Sequence, residues 1–169
     1  MEMDLVAHCG ESVAGEFLHT VNAVDPATGW REPLALPNRS QQAVREALER
    51  MRARLPFPLL RIDSDNDSMG LLRYCQEEGL LFTRSRPYRL IPVHVEQKSW
   101  VAVRQLIGYG RYESARPLAL LEAIYSDWRR FVNLFQPVRK RLRKERLGSK
   151  VRKRYDQAKT PLPAGAGFT

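Results

Sequence analysis

The chain has 169 residues, 43% of them hydrophobic and 28% charged, with a formal net charge of +9, three His and two Cys. That is enough for one ordinary domain with a real core plus an appendage, and no apolar run approaches the length of a membrane span, so no membrane association is expected. No charged-then-apolar leader opens the sequence, and Cys9 and Cys75 lack zinc-site spacing, so a cytoplasmic setting with reduced, buried thiols is expected.

In chain order, "MDLVAHC" (3–9) and "GEFLHTVNAVD" (15–25) read as strands joined by a turn at 10–14. "WREPLAL" (30–36) reads as a third strand after the turn signal "DPATG". Ser40 stands where an N-cap belongs, and Ala43, Ala47, Leu48 and Met51 then recur at helical spacing. "FPLLRID" is a short apolar run between Pro58 and an Asp/Asn/Ser cluster, which predicts a buried strand over 59–62. A short helix over 70–79 closed by Gly79, a fifth strand over 80–88, a helix from Pro92 to Gly108 and another from about Ser114 to Phe135 follow. Three consecutive strands followed by βα units predict an α/β domain, a mixed five-stranded sheet flanked by helices. That is the element order of the ribonuclease H-like fold.

The charge is concentrated at one end. Residues 129–154 hold 12 of the 28 Lys and Arg and one acid, Glu145, which leaves 16 bases against 18 acids elsewhere. A near-neutral body with a basic end points to a polyanion partner, nucleic acid first and an anionic membrane second. Trp128, Phe131 and Phe135 give the start of this stretch an apolar side. The expectation is a helix packed on the body by that side and running out as a basic arm. The divisions expected are a core over 1–112, a helical, basic C-terminal extension over 113–155 and a disordered tail over 156–169.

Asp63, Asp65 and Asp67 alternate in "RIDSDNDSMG" (61–70), and acids that close repel unless a cation sits among them. An EF-hand calcium loop takes oxygens at this spacing but needs Gly and Glu where Ser68 and Tyr74 stand. An acidic surface turn uses the same residue types. These acids, however, follow a strand, and ligands of open sheets sit at carboxyl ends of strands. Asp4 lies inside the first strand, flanked by Leu5 and Val6, where an acid costs free energy unless it is paired or faces solvent or a metal. Glu96 lies near the start of the helix from Pro92 and shares a face with Trp100, Val103 and Ile107. Acids from a first strand, a fourth strand and a following helix can meet at one end of such a sheet. Hard ions such as Mg²⁺ or Mn²⁺ take carboxylate clusters of that kind.

The ordered segments "MDLVAHCGESVAGEFLHTVNAVDPATGW", "IDSDN…LLRYCQEEG", "FTRSRPYR" and "HVEQKSW" together resemble the catalytic core of integrase-type DDE transposases. These are bacterial insertion-sequence transposases related to retroviral integrases, and the resemblance covers roughly residues 2–160. It matches Asp4 to the family's first Asp, Asp65 of "DN" to the Asp opening its D-N-G-x-E-F motif, and Glu96 of "HVEQK" to the Glu of H-V-E-x-K. The resemblance implies a catalytic, metal-binding triad of Asp4, Asp65 and Glu96, a two-metal Mg²⁺ or Mn²⁺ cofactor, and cleavage and strand transfer of DNA. Its partners would be transposon ends and target DNA. It also implies a homo-oligomer when active and a nucleoid-associated place in a bacterial cytoplasm. Arg84, Arg86, Arg89, Lys98 and Arg104 near the triad are the expected DNA contacts, with Arg139, Lys140, Arg141, Arg143 and Lys144 in the basic end. The chain departs from the family after Asn66, where Asp67-Ser68-Met69-Gly70 replaces Gly-x-Glu-Phe. Glu96 follows Asp65 by 31 residues, a few under the family's spacing. An inactive nucleic-acid-binding module and a hydrolytic ribonuclease H-like nuclease are the alternatives left open.

Overall fold

The computed structural model describes residues 1–64, 69–84, 103–147 and 149–161. Five strands form one sheet: β1 (Glu2–Ala7), β2 (His19–Val24), β3 (Arg31–Leu36), β4 (Arg61–Ser64) and β5 (Leu81–Arg84). Their order is β3-β2-β1-β4-β5, with β2 antiparallel to both β1 and β3, and β4 parallel to both β1 and β5. The mixed sheet expected from the element order is therefore the one observed. β4 begins two residues later than its apolar run suggests, because Leu60 faces solvent and pairing starts at Arg61.

Helix α1 (Gln41–Arg54) connects β3 to β4, and α2 (Met69–Glu77) connects β4 to β5. Ser40 Oγ accepts the Ala43 N–H at 3.2 Å and so starts α1, which ends at Leu55 ahead of Pro56. The buried residues of α1 are Ala43, Ala47, Leu48 and Met51, as the helical spacing predicts. Alternation sorts each strand between two faces. Met3, Val21, Ala23, Leu34 and Leu36 pack with Leu48, Met51, Ile62, Tyr74 and Cys75 on the α1 side. On the other side, Ala35 and Leu18 pack with Leu121 and Tyr125 of a long helix. Val6 there packs with Val103, just ahead of the short helix α3 (Gln105–Ile107). The long helix is α4 (Ala115–Leu134). Covered on both faces, β2 and β3 are buried along their whole length.

Strand β3 would be an open edge, and α4 closes it. Asn133 Oδ1 accepts the Arg31 N–H at 2.9 Å, and Asn133 Nδ2 donates to the Arg31 carbonyl at 2.9 Å. One turn earlier, Arg129 Nε donates to Glu32 Oε1 at 2.5 Å and its Nη2 donates to the Arg54 carbonyl at 2.7 Å. Trp30 Nε1 donates to the same carboxylate oxygen at 2.8 Å, and Arg54 Nη2 to the other at 3.1 Å. With Leu121, Tyr125 and Val132, these two polar residues make up the buried side of α4. Phe131 and Phe135, expected to pack on the body, are instead 56% and 70% exposed. A helix that turns Arg129 and Asn133 onto the edge strand sends Phe131, two residues from each, to its outer side.

The basic end does not continue as a helix, which corrects the expected helical extension beyond Leu134. Pro137 follows the end of α4, and β6 (Arg141–Leu147) pairs antiparallel with β7 (Lys150–Tyr155). A helix here would stack Arg139 on Arg143 and Lys140 on Lys144, like charges four residues apart, whereas a strand sends neighbouring charges to opposite faces. Ser149, between the two strands, is a small polar residue suited to a turn. The stem is held by main-chain bonds of 2.8 and 3.1 Å between Val138 and Lys159 and by Asp156, whose Oδ1 accepts the Lys140 N–H at 2.6 Å. Val138 rests on Gly29, where φ is +82° and a Cβ would lie 2.9 Å from Val138 Cγ2, so only glycine fits. No helix among the described residues is long and apolar enough to cross a membrane.

Candidate active site

Asp4 lies half-buried in the middle of β1, with Asn22 of β2 directly opposite. Alternation puts it on the α4 face of the sheet, together with Val6 and His8. Asn22 is wholly buried. A carboxylate and a buried carboxamide stand side by side there, on a face that also carries Glu2, His8 and Thr20.

The second carboxylate comes from the end of β4. Its register pairs Glu2 with Asp63 and Met3 with Ser64, so the described end of β4 is level with the residue before Asp4. Asp63 shares the Asp4 face but stands beside Glu2, and Arg61 Nη2 lies 3.5 Å from its Oδ2. Asp65 lies outside the described residues, as do Glu96, Arg86, Arg89 and Lys98. Val103, seven residues beyond Glu96, is described: it is fully buried against Val6, the next residue along the Asp4 face. The chain thus returns onto that face directly after the segment carrying Glu96. Among the described residues no three His, Cys, Asp or Glu side chains form a group that would hold a metal ion.

The expected cations divide. Arg84 ends β5 level with Ser64, and alternation from Phe82, which packs on the α1 side, puts Arg84 on the face opposite Asp4. Arg104 Nη2 donates to the Ala7 carbonyl at 3.0 Å and its guanidinium lies 4.8 Å from the Tyr109 ring centre, so it braces the end of β1. Arg139 and Lys140 lead into the hairpin stem, and Arg141, Arg143 and Lys144 belong to β6. Asn22 and Arg61 are the residues that sequence reasoning missed on the Asp4 face. Only the strand register reveals them, and register is set by the folded sheet.

Further along the same face, His8 is buried with its Nε2 2.8 Å from Thr20 Oγ1, which is in turn 2.8 Å from the Tyr125 hydroxyl. His8 Nδ1 is buried without a hydrogen-bond partner, so the proton sits best on Nε2, leaving only a lone pair unmatched. Burial first, then the nearby Arg104 and His19 cations, lower the His8 pKa to about 4. Burial also pushes the Tyr125 hydroxyl up to about 12. The unfolded chain takes up the His8 proton near its ordinary pKa, before the folded one does. Stability from a neutral His8 is therefore complete above about pH 6.5 and is lost as pH falls toward 4. The gap in unfolding free energy between wild type and His8→Gln should shift by about 3 kcal/mol against the wild type from pH 7 to pH 4. A gap that stays constant across that range removes His8 from the account.

No family model matches the chain. It is 41% identical over 170 residues to the uncharacterized protein y4rM of Sinorhizobium fredii, covering 98% of this chain and 49% of that protein. The chain thus spans about half the length of this relative. Among solved structures, the BIV integrase catalytic core domain matches with a TM-score of 0.55 and 18% identity, over 79% of this chain and 82% of that one. A chain of the simian T-cell lymphotropic virus intasome, in complex with PP2A regulatory subunit B56 gamma, matches with the same TM-score and identity, over 79% and 48%. The class is then plain: the chain has the ribonuclease H-like fold of integrase catalytic cores.

Proposed function

We propose that this chain is the catalytic core of a metal-dependent polynucleotidyl transferase that cuts and joins DNA. The placement of Asp4 carries the proposal. It is a half-buried carboxylate on the central strand of an integrase-type sheet, next to the carboxyl end of parallel β4 and on the face to which Val103 returns. Asp4, Asp65 and Glu96 would hold Mg²⁺ or Mn²⁺, hard ions that prefer an all-carboxylate donor set. When bound, such ions activate a water or a 3′-hydroxyl and stabilise the leaving oxygen. The protein's own part is to hold Asp4 in the middle of the sheet, with buried Asn22 directly opposite. Neutral His8, already engaged by Thr20, adds no charge to that face. Exposed Arg61, on the same face, would be the cation that meets a phosphate.

The test is incubation of the 169-residue chain with labelled duplex DNA and Mn²⁺. Strand breaks that vanish on chelation support catalysis, and joined products make it a transferase. Hydrolysed ends alone would make it a nuclease, and no metal-dependent product at all would leave only a nucleic-acid-binding module.

A further inference from the structure

Hairpin β6–β7 departs from an ordinary surface hairpin, which lays one face on the core. Here both faces meet solvent. One carries Arg146 and Lys153, with Val151 46% and Tyr155 47% exposed; the other carries Arg143, Arg152 and Arg154, with Glu145 beside Arg143 at 2.6 Å. A flat anionic surface would satisfy one of these faces and strand the other. A partner with phosphates on two facing walls satisfies both.

We propose that the hairpin enters the major groove of duplex DNA by its tip, with one basic face toward each phosphate wall. This rests on the reading of the core as acting on DNA and names how the duplex is held. Two strands about 4.8 Å apart, with side chains on both faces, fit a groove roughly 12 Å wide but not a minor groove of about 6 Å. With a groove depth of about 8.5 Å and about 3.3 Å per residue, the rim lies about three residues behind the tip. Arg152 and Lys153 stand at that level, one on each face. Ser149, the described residue between the strands, is small and exposed and can enter first. The major groove of duplex RNA is too deep and narrow for such a ribbon.

The experiment measures binding of the 169-residue chain to a mixed-sequence DNA duplex across a salt series, in EDTA, so that cleavage plays no part. Deleting residues 129–154 would also remove Arg129 and Asn133 from the core, so exposed side chains are substituted instead. One variant combines Arg143→Gln, Arg152→Gln and Arg154→Gln; the other combines Arg146→Gln and Lys153→Gln. Each should weaken binding tenfold or more at fixed salt. The slope of log affinity against log salt should flatten by roughly 2–3 in the first and about 2 in the second, at about 0.9 per phosphate neutralised. Guanine N7, on the major-groove floor, should be protected from dimethyl sulfate, and duplex RNA should bind much more weakly. The proposal is overturned if either variant keeps the wild-type slope, if N7 stays reactive, or if duplex RNA or phosphatidylserine vesicles bind as well as DNA. Because the readout is affinity without metal, its failure is distinguishable from a failure of the core to cut DNA.

Discussion

Replacing Arg129 with methionine is expected to destabilise the fold by about 3–5 kcal/mol, the cost of breaking a buried ion pair from one side. That is a large fraction of the roughly 5–15 kcal/mol that holds a domain together. Glu32 is fully buried, and its Oε1 takes bonds from Arg129 and Trp30. Without Arg129 that oxygen keeps only the indole N–H, and the Arg54 carbonyl loses the donor it had from Arg129 Nη2. Arg54, reaching Glu32 Oε2 at 3.1 Å, keeps the carboxylate from being wholly unpaired, which holds the effect toward the lower end of the range. The double change Arg129→Met with Glu32→Leu should recover much of the loss, because apolar replacements of a buried pair often come out near neutral. Urea unfolding followed by the fluorescence of Trp30, which lies against the Arg129 guanidinium, measures both. A single-variant loss below about 1 kcal/mol would show that the pair adds little beyond its own desolvation.

That same cluster shows what a sequence conceals. The sheet, α1 and the limits of α4 were legible because each rests on local rules: short strand-like runs bounded by turn signals, Ser40 ahead of Ala43, and turn residues at Asp25–Gly29. Which side of α4 packs was legible only in part. Trp128 of the apolar stripe does pack against Val6 and Val103, but Phe131 and Phe135 face outward, because the helix turns toward an edge strand whose unpaired main-chain groups need Asn133 and whose Glu32 needs Arg129. That demand arises from β3 lying at the sheet edge, about a hundred residues away in sequence. The basic end went wrong for a different reason. Charge density marked a polyanion partner equally well for a helix or a hairpin, and the apolar side at Trp128, Phe131 and Phe135 pointed to a helix, although like charges four residues apart disfavour one beyond Pro137. Of the candidate site, the place of Asp4 inside β1, beside Leu5 and Val6, was legible, while Asn22 and Arg61 depended on a register that no local pattern specifies.

Asp4→Asn should lower metal-dependent cleavage on the order of 10²–10³-fold or more, the scale set by losing a group that stabilises transition-state charge. Glu96→Gln should do the same. Asparagine keeps the shape of Asp4 and its place opposite Asn22, so the domain should stay folded. Glu2 and Asp63 share the Asp4 face, so removing one negative charge should leave the metal-free melting temperature equal or higher. Wild-type cleavage by a clean preparation of either variant refutes the assignment. The choice of second carboxylate is sharper. Ser64 is level with Met3, so Asp63 sits back beside Glu2, two residues short of where β4 would reach Asp4. Asp63 also has the Arg61 guanidinium 3.5 Å away, a cation competing for its oxygens. Asp65 lies outside the described residues and is the acid that the resemblance to the D-N motif matches. In Mn²⁺ titrations, Asp65→Asn should therefore weaken binding far more than Asp63→Asn. If Asp63→Asn is the more damaging change, the metal sits further down β4, beside Glu2, and the second ligand is Asp63.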